Sequence, residues 1–293
     1  MSFSKNIKEE LSKSSNLANK ELVKAEFIGY LITNNIDIKK DKIKYSTESE
    51  YNINRFAKLL NNLNFTKYEI DIQGKIYTIT IKEKISFNEI SVVDSRIQLN
   101  SNIIDFCNNE TLEKALIRGS FLGSGSINNP EKIYHLEVIY SCEENADFAI
   151  GVLKKYDISM KKLFSTGYIK DGEEISKFLA FIGANSSVLK FEEIRVIRDM
   201  RNNVNRLVNC ETANLNKTIN AALKQIDDIK FIKNMKKFNE LPQNVQEVAD
   251  LRLENPDMPL AELGKMLSTP IGKSGVNYRL KVISNYAEEL RRK

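Results

Sequence analysis

Leu112, Ala115, Leu116 and Gly119 recur at the spacing of one helix face, so the chain from residue 112 predicts a helix. Thr111 is placed to cap it, and Glu113 complements the positive end of its dipole. Small residues then crowd together, Gly119, Ser120, Gly123, Ser124, Gly125 and Ser126, ahead of a strand near Ile127. Gly119 and Gly123 share a face on which a second backbone can come close, because no side chain stands in the way. Residues 25–35 repeat the pattern without a gap at an offset of 90, pairing Ala25 with Ala115, Gly29 with Gly119 and Asn34 with Ser124. Beyond them, residues 43–48 precede an amphipathic helix bearing Ile53, Phe56, Ala57, Leu60 and Leu63. Residues 138–143 precede one bearing Phe148, Val152 and Leu153, and Tyr45 aligns on Tyr140 at an offset of 95. Two units with one helix-strand-helix-strand order each predict a duplicated domain.

The same patterning places the remaining elements. Phe3, Ile7 and Leu11 line a short helix within residues 1–20 that packs on the domain. The first paired helix is predicted over 21–34. Strands are predicted at 43–48, 68–73 and 75–82, the last with Tyr77, Ile79 and Ile81 alternating after Gly74. Residues 84–110 link the halves. Strands near 132–141, 160–164 and 166–170 follow, then a helix over 173–183 with Ile175, Phe178, Leu179 and Ile182 on one face. Arg195, Arg198, Arg201 and Arg206 mark a change of character, toward either a solvated face or one that binds phosphate. Leu215, Ile219, Leu223, Ile226 and Ile229 make 213–236 an amphipathic helix, and Lys230, Lys233, Lys236 and Lys237 suit its negative end. Three helices close the chain. The first spans about 243–254, with Val245, Val248, Ala249, Leu251 and Leu253 as core candidates, and Asn255-Pro256-Asp257 stops it. The second spans about 259–266 with Leu260, Leu263 and Met266; Pro259 suits its first turn but cannot accept a capping bond. The third turns Val276, Leu280 and Ile283 inward.

The two halves and the C-terminal third resemble the WhiA family, which joins a LAGLIDADG homing-endonuclease-like domain to a helix-turn-helix domain. The resemblance covers nearly the whole chain. Its most specific pieces are residues 118–126 with Pro130 and Tyr134-His135-Leu136-Glu137, then Asn209-Cys210-Glu211-Thr212-Ala213-Asn214, and residues 273–280. It implies an α+β fold: a duplicated LAGLIDADG-like domain of helices and antiparallel sheet, followed by an all-α helix-turn-helix domain. The expected domains are 1–190, with halves at about 1–85 and 111–190, a helical linker at 191–240, and the helix-turn-helix at 241–293.

Charge sharpens this picture. The net charge of +5 is uneven: residues 195–293 hold 18 Lys/Arg against 12 Asp/Glu, which leaves the rest of the chain at −1. A nucleic-acid footprint is therefore expected mainly at the C-terminal end. Cys107, Cys142 and Cys210 are scattered and odd in number, which argues against a disulfide framework. With one histidine, His135, and no CxxC pair, a zinc site is not expected. The polar N-terminus does not read as a signal peptide, and no apolar run would span a membrane. A cytoplasmic, nucleoid-associated protein without cofactor or metal is expected.

The candidate chemistry divides between two places. LAGLIDADG nucleases need an acidic residue at the end of each paired helix, to hold divalent metal where both DNA strands are cut. The aligned positions here are Asn34 and Ser124, neither acidic; Asp37 and Glu131 lie outside the motif. No catalytic residue is therefore assigned. His135 lacks a Ser or Cys partner pattern and alternates as a sheet position. Gly272-Lys273-Ser274 spells the end of a phosphate loop, but Leu267 stands where that loop needs its first glycine. The resemblance places the third C-terminal helix in the major groove of double-stranded DNA. There Asn277 suits adenine, and Lys273, Arg279 or Lys281 suit guanine edges or phosphates. Ser274 and Gly275 make a small helix start, and Tyr278 stands where the family more often has His. The reading carried forward is a sequence-specific DNA-binding regulator of transcription, cell division and chromosome segregation, with sporulation added in sporulating relatives. The alternatives are a metal-dependent endonuclease, or a module that docks a protein partner through the LAGLIDADG-like body and is tethered to DNA.

Overall fold

The pattern repeated at an offset of 90 is built twice in space. A computed structural model describes residues 2–13, 17–39 and 42–292. It divides at Met200 and Arg201 into two units. The first unit opens with α1 (Phe3–Lys13), which buries Ile7 and Leu11 as their spacing predicts. The first half then runs α2 (Lys20–Leu31), β1 (Ile36–Lys39), β2 (Lys42–Thr47), α3 (Glu50–Asn62), β3 (Tyr68–Gln73) and β4 (Ile76–Ile81). A hairpin of β5 (Ile90–Val93) and β6 (Arg96–Leu99) and the short α4 (Asn102–Phe106) follow. The second half runs α5 (Glu110–Ser124), β7 (Ser126–Ile127), β8 (Leu136–Ile139), α6 (Glu143–Lys155), β9 (Lys161–Leu163) and β10 (Thr166–Ile169), closed by α7 (Gly172–Ile182). Each half is thus helix, two strands, helix, two strands, and β1 is the strand that the sequence pattern does not predict. Both sheets are antiparallel and share one topology, β1-β2-β4-β3 and β7-β8-β10-β9.

The paired helices α2 and α5 cross at their glycines. A Cβ added to Gly29 would lie 2.1 Å from the Leu116 carbonyl oxygen, and one added to Gly119 would lie 2.0 Å from that of Glu26. Backbone touches backbone there, and only glycine leaves the room. Gly123 is less constrained, since its added Cβ would meet the Thr33 side chain. Around the crossing, Phe27, Tyr30, Tyr45, Phe56 and Phe121 are fully buried, with Tyr45 stacked on Phe56 at a ring separation of 4.7 Å. A buried ion pair joins α2 to α3: Arg55 Nε and Nη2 donate to the two Glu26 oxygens at 2.7 and 2.8 Å. From α5, Arg118 approaches the same carboxylate at 3.5 Å and donates to the Ile182 carbonyl.

Several expectations are corrected. Asn109, not Thr111, caps α5; its extended backbone lets Oδ1 accept the Leu112 amide, while the Thr111 hydroxyl itself donates to Asn109. Residues 84–110 are more than a link, because Ile97, Ile103 and Cys107 enter the main core. Burial pushes the Cys107 thiol up to about 12. His135 stands just before β8 rather than in it, with Nε2 3.2 Å from Glu137.

The helix predicted at 213–236 is the end of one continuous 50-residue helix, α8 (Asn185–Asn234), since neither Gly nor Pro interrupts that stretch. The second unit consists of its C-terminal part with α9 (Gln243–Glu254), α10 (Leu260–Met266) and α11 (Lys273–Arg292). Their core holds Ile229, Ile232, Val245, Val248, Leu263, Val276, Leu280 and Ile283. Leu251 and Leu253 only flank it, and Met266 is half exposed. The buried Asp228 locks α8 to α11 by accepting from Ser284 Oγ and Arg291 Nη1, each at 2.7 Å.

Candidate nucleic-acid interface

The two positions where a LAGLIDADG nuclease carries its acids converge on one main-chain atom. The Asn34 amide N–H donates to the Ile139 carbonyl at 3.2 Å. The Ser124 hydroxyl donates to the same carbonyl at 2.7 Å, and its oxygen accepts the Ile139 amide at 3.1 Å. Next to them the Thr33 hydroxyl returns to the Tyr30 carbonyl, and the Asn35 amide donates to the Gly123 carbonyl at 2.8 Å. The helix ends are therefore closed by hydrogen bonds to strand and helix backbone. Outside the motif, Asp37 pairs with Lys39 at 2.8 Å, and Glu131 lies within a turn with Asn129.

A second pair of buried amides ties the halves crosswise. Asn52, on α3, donates Nδ2–H to the Leu122 carbonyl at the end of α5 and to Tyr45, both at 2.7 Å. Asn145, its counterpart on α6, donates to the Ile32 carbonyl at the end of α2, at 3.4 Å, and to Ile97 at 2.8 Å. Each half thus terminates the paired helix of the other. Burial holds the Tyr30 and Tyr45 phenols above their usual range, so they act as neutral donors and acceptors in this network. Periodicity could not single out Asn52 and Asn145; their matching places in the repeat, 93 residues apart, are the available signal.

The arginine series is divided in use. Arg195 pairs with Glu192 on its own helix, while Arg198 donates to the Pro130 carbonyl at 3.0 Å and lies over the Tyr134 ring. Arg201 and Arg206 are exposed.

In the second unit, α9, α10 and α11 form a three-helix scaffold. The turn into α11 is tight: the Ile271 amide donates to the Gly264 carbonyl, and a Cβ on Gly264 would lie 2.2 Å from the Ile271 oxygen. Ser268 anchors that turn by donating its hydroxyl to Glu247 on α9. Val276 and Leu280 hold α11 from the inside and are buried. Lys273, Ser274, Asn277, Tyr278 and Lys281 stand exposed and make no side-chain hydrogen bond among the described residues. Gly275 is half-buried against Ile271. Arg279 turns back, donating Nη1–H to the Asn244 carbonyl at the start of α9. Sequence reasoning missed Arg252, whose Nη1 donates to the Asn255, Pro256 and Met258 carbonyls and closes the end of α9.

A duplicated body paired through glycines, and a three-helix unit with a tight turn before its last helix, define a LAGLIDADG-like protein that carries a helix-turn-helix domain. Family models described as the WhiA LAGLIDADG-like domain and the WhiA C-terminal HTH domain match residues 113–201 and 204–287. A probable cell division protein WhiA from Clostridium tetani is 38% identical over 312 residues, spanning 99% of this chain and 98% of its own. One from Clostridium acetobutylicum is 44% identical over 232 residues, 75% of this chain and 73% of its own. The crystal structure of full-length WhiA from Thermotoga maritima, 28% identical, matches 99% of each chain with a TM-score of 0.56. The chain belongs to the WhiA family. Among the described residues, no helix is long and apolar enough to cross a membrane.

Proposed function

We propose that this chain is a sequence-specific DNA-binding regulator, acting in transcription control, cell division and chromosome segregation, and in sporulation where the organism sporulates. The observation that carries this reading is the polar face of α11, whose Lys273, Ser274, Asn277, Tyr278 and Lys281 are exposed on a scaffold held from behind. Double-stranded DNA is the partner. Asn277 reads an adenine edge in the major groove, and Lys273 and Lys281 meet phosphates or guanine. Ser274 keeps the exposed helix start small, Gly275 leaves room for Ile271 beneath it, and Arg279 contributes by fixing α11 to α9. A basic C-terminal third agrees with that role, which places the chain on the nucleoid. Residues 1–190 serve as a folded docking surface for DNA or a protein partner, 191–240 as a helical linker, and 241–293 as the reading head.

The body does not cut DNA. Asn34 and Ser124 supply no negative charge, and the Ser124 hydroxyl is already committed to Ile139. Two experiments test this reading. Selection of bound duplexes from a random pool, followed by footprinting, should return one preferred sequence protected by the full chain. Plasmid incubated with the chain and Mg²⁺ should stay supercoiled. Recovery of unrelated sequences, or nicking that Asp37→Asn or Glu131→Gln abolishes, would overturn it.

A further inference from the structure

The two sheets of the body share one topology but differ at one edge. In the second half that edge is β9, three residues long, with Lys161 and Lys162 exposed on it. A short strand that carries lysines is protected against pairing with another chain. Its counterpart in the first half, β3, has no such protection. The sequence Tyr-Glu-Ile-Asp-Ile-Gln holds neither Lys nor Pro, runs for six residues, and has five of them exposed. Six consecutive pairs with β4, without a bulge, keep the strand regular.

The register fixes which backbone groups are open. The Lys82 amide donates to the Lys67 carbonyl at 2.8 Å, which makes those opposed residues a hydrogen-bonded pair. Such pairs alternate along an antiparallel ladder. Glu69, Asp71 and Gln73 therefore bond to β4, while the N–H and C=O groups of Tyr68, Ile70 and Ile72 point away from it. No other strand pairs there among the described residues. Ile70 and Ile72 share a face with the buried Ile79, yet they overhang the core and are 50% and 60% exposed. Glu69 and Asp71 lie on the other face. Glu69 pairs with Lys82, whereas Asp71 forms no ion pair among the described residues.

We propose that the open edge of β3 takes up an extended segment of a protein partner, one in which apolar residues alternate with Lys or Arg. The segment adds a strand to the four-stranded sheet. Its main chain bonds to Tyr68, Ile70 and Ile72, its apolar side chains cover Ile70 and Ile72, and its cations lie opposite Glu69 and Asp71. A second copy of β3 does not fit, because antiparallel pairing over the whole strand, centred on Ile70, sets Glu69 against Asp71 twice. The same carboxylates repel phosphate. This role rests on the reading of residues 1–190 as a docking surface and gives that surface a protein, not DNA, as partner.

The test is residue-resolved hydrogen exchange of the full chain titrated with an N-acetylated peptide of four Lys-Val repeats and, separately, with its Glu-Val counterpart. At saturation the Lys-Val peptide should slow exchange of the Tyr68, Ile70 and Ile72 amides at least about tenfold, and the Glu-Val peptide should not. Asp71→Lys, an exposed change, should weaken the Lys-Val peptide severalfold and admit the Glu-Val peptide. Ile70→Pro removes an outward amide, which an edge strand tolerates, and should abolish binding. Failure of the Lys-Val peptide to saturate at millimolar concentration would overturn the proposal. So would equal binding of both peptides by the parent chain, or binding by a folded Ile70→Pro variant as tight as the parent's. Protection of the same amides by duplex DNA would assign the edge to nucleic acid instead and strike this proposal alone. The docking reading itself fails only if peptide and duplex both leave every amide of residues 1–190 unchanged.

Discussion

The ends of the paired helices and the start of α11 are both rich in short polar residues, yet they use them in opposite ways. At the helix ends the Asn34 amide and the Ser124 hydroxyl meet on one carbonyl, and Asn52 and Asn145 terminate the helix of the opposite half. Those groups hold the body together. At the start of α11, Lys273, Ser274, Asn277, Tyr278 and Lys281 stand in solvent without side-chain hydrogen bonds among the described residues, while Val276 and Leu280 do the packing. Buried polar groups with partners specify a fold, and exposed ones without partners are free to meet another molecule. In a WhiA-family chain, this contrast separates the part that gives architecture from the part proposed to read DNA.

Breaking the helix crossing should give the largest effect. Gly119→Ala puts a methyl group 2.0 Å from the Glu26 carbonyl oxygen, so the helices must separate along their whole contact. Overpacking of this kind typically costs about 1–3 kcal/mol, and contact with rigid backbone places it at or above the upper end. A thermal melt should show the body destabilised or unfolded; a parental melting temperature would contradict the backbone-contact account. Arg55→Met comes next, because it leaves Glu26 buried with Arg118 alone at 3.5 Å. Losing one partner of a buried pair costs about 3–5 kcal/mol, reduced here by Arg118. Urea unfolding measures it, and a change below ~1 kcal/mol would mean that Arg118 substitutes fully.

The packing of α1 gives a smaller, pH-dependent effect. Desolvation lowers the Lys8 ammonium from its ordinary range to about 8. Between pH 8 and 10.5 the unfolded chain keeps this proton while the folded chain releases it, so this group's contribution to stability rises with pH. Lys8→Met should therefore be more stable than the parent at pH 7, with the advantage shrinking as pH climbs past 8. A constant difference across that range would show that Lys8 is solvated. At the α11 face, by contrast, Asn277→Ala and Lys273→Ala should leave stability within about ±0.5 kcal/mol. A larger loss by either would make that face structural and remove the contrast.

Much of this architecture is legible in the sequence, because helices that pack on one face must repeat apolar residues at three and four, and the glycines announce the crossing. Short polar strands are harder. Ile36 to Lys39 alternates, but half-buried edge positions leave a weak signal, and β1 shows only through its pairing with β2. The continuity of α8 is hidden by its change of amphipathic character near residue 212, although no residue there can break a helix. Arg252 is hidden because a cation in a helical pattern reads as solvated; its role depends on carbonyls that Asn255-Pro256 leaves unpaired. At α11, spacing sorts inward from outward residues, but it cannot foresee that Arg279 bends back to Asn244.

The claim that α11 does the reading is tested most directly by titrating the full chain against its selected duplex at several salt concentrations, alongside Asn277→Ala and Lys273→Ala. The account predicts that Asn277→Ala loses about 1–3 kcal/mol on that duplex and little on unrelated DNA. Lys273→Ala should weaken binding to both and lower the salt slope by about one. Unchanged affinity and slope in both variants, with binding intact, would place the DNA contact elsewhere on the molecule and contradict the account.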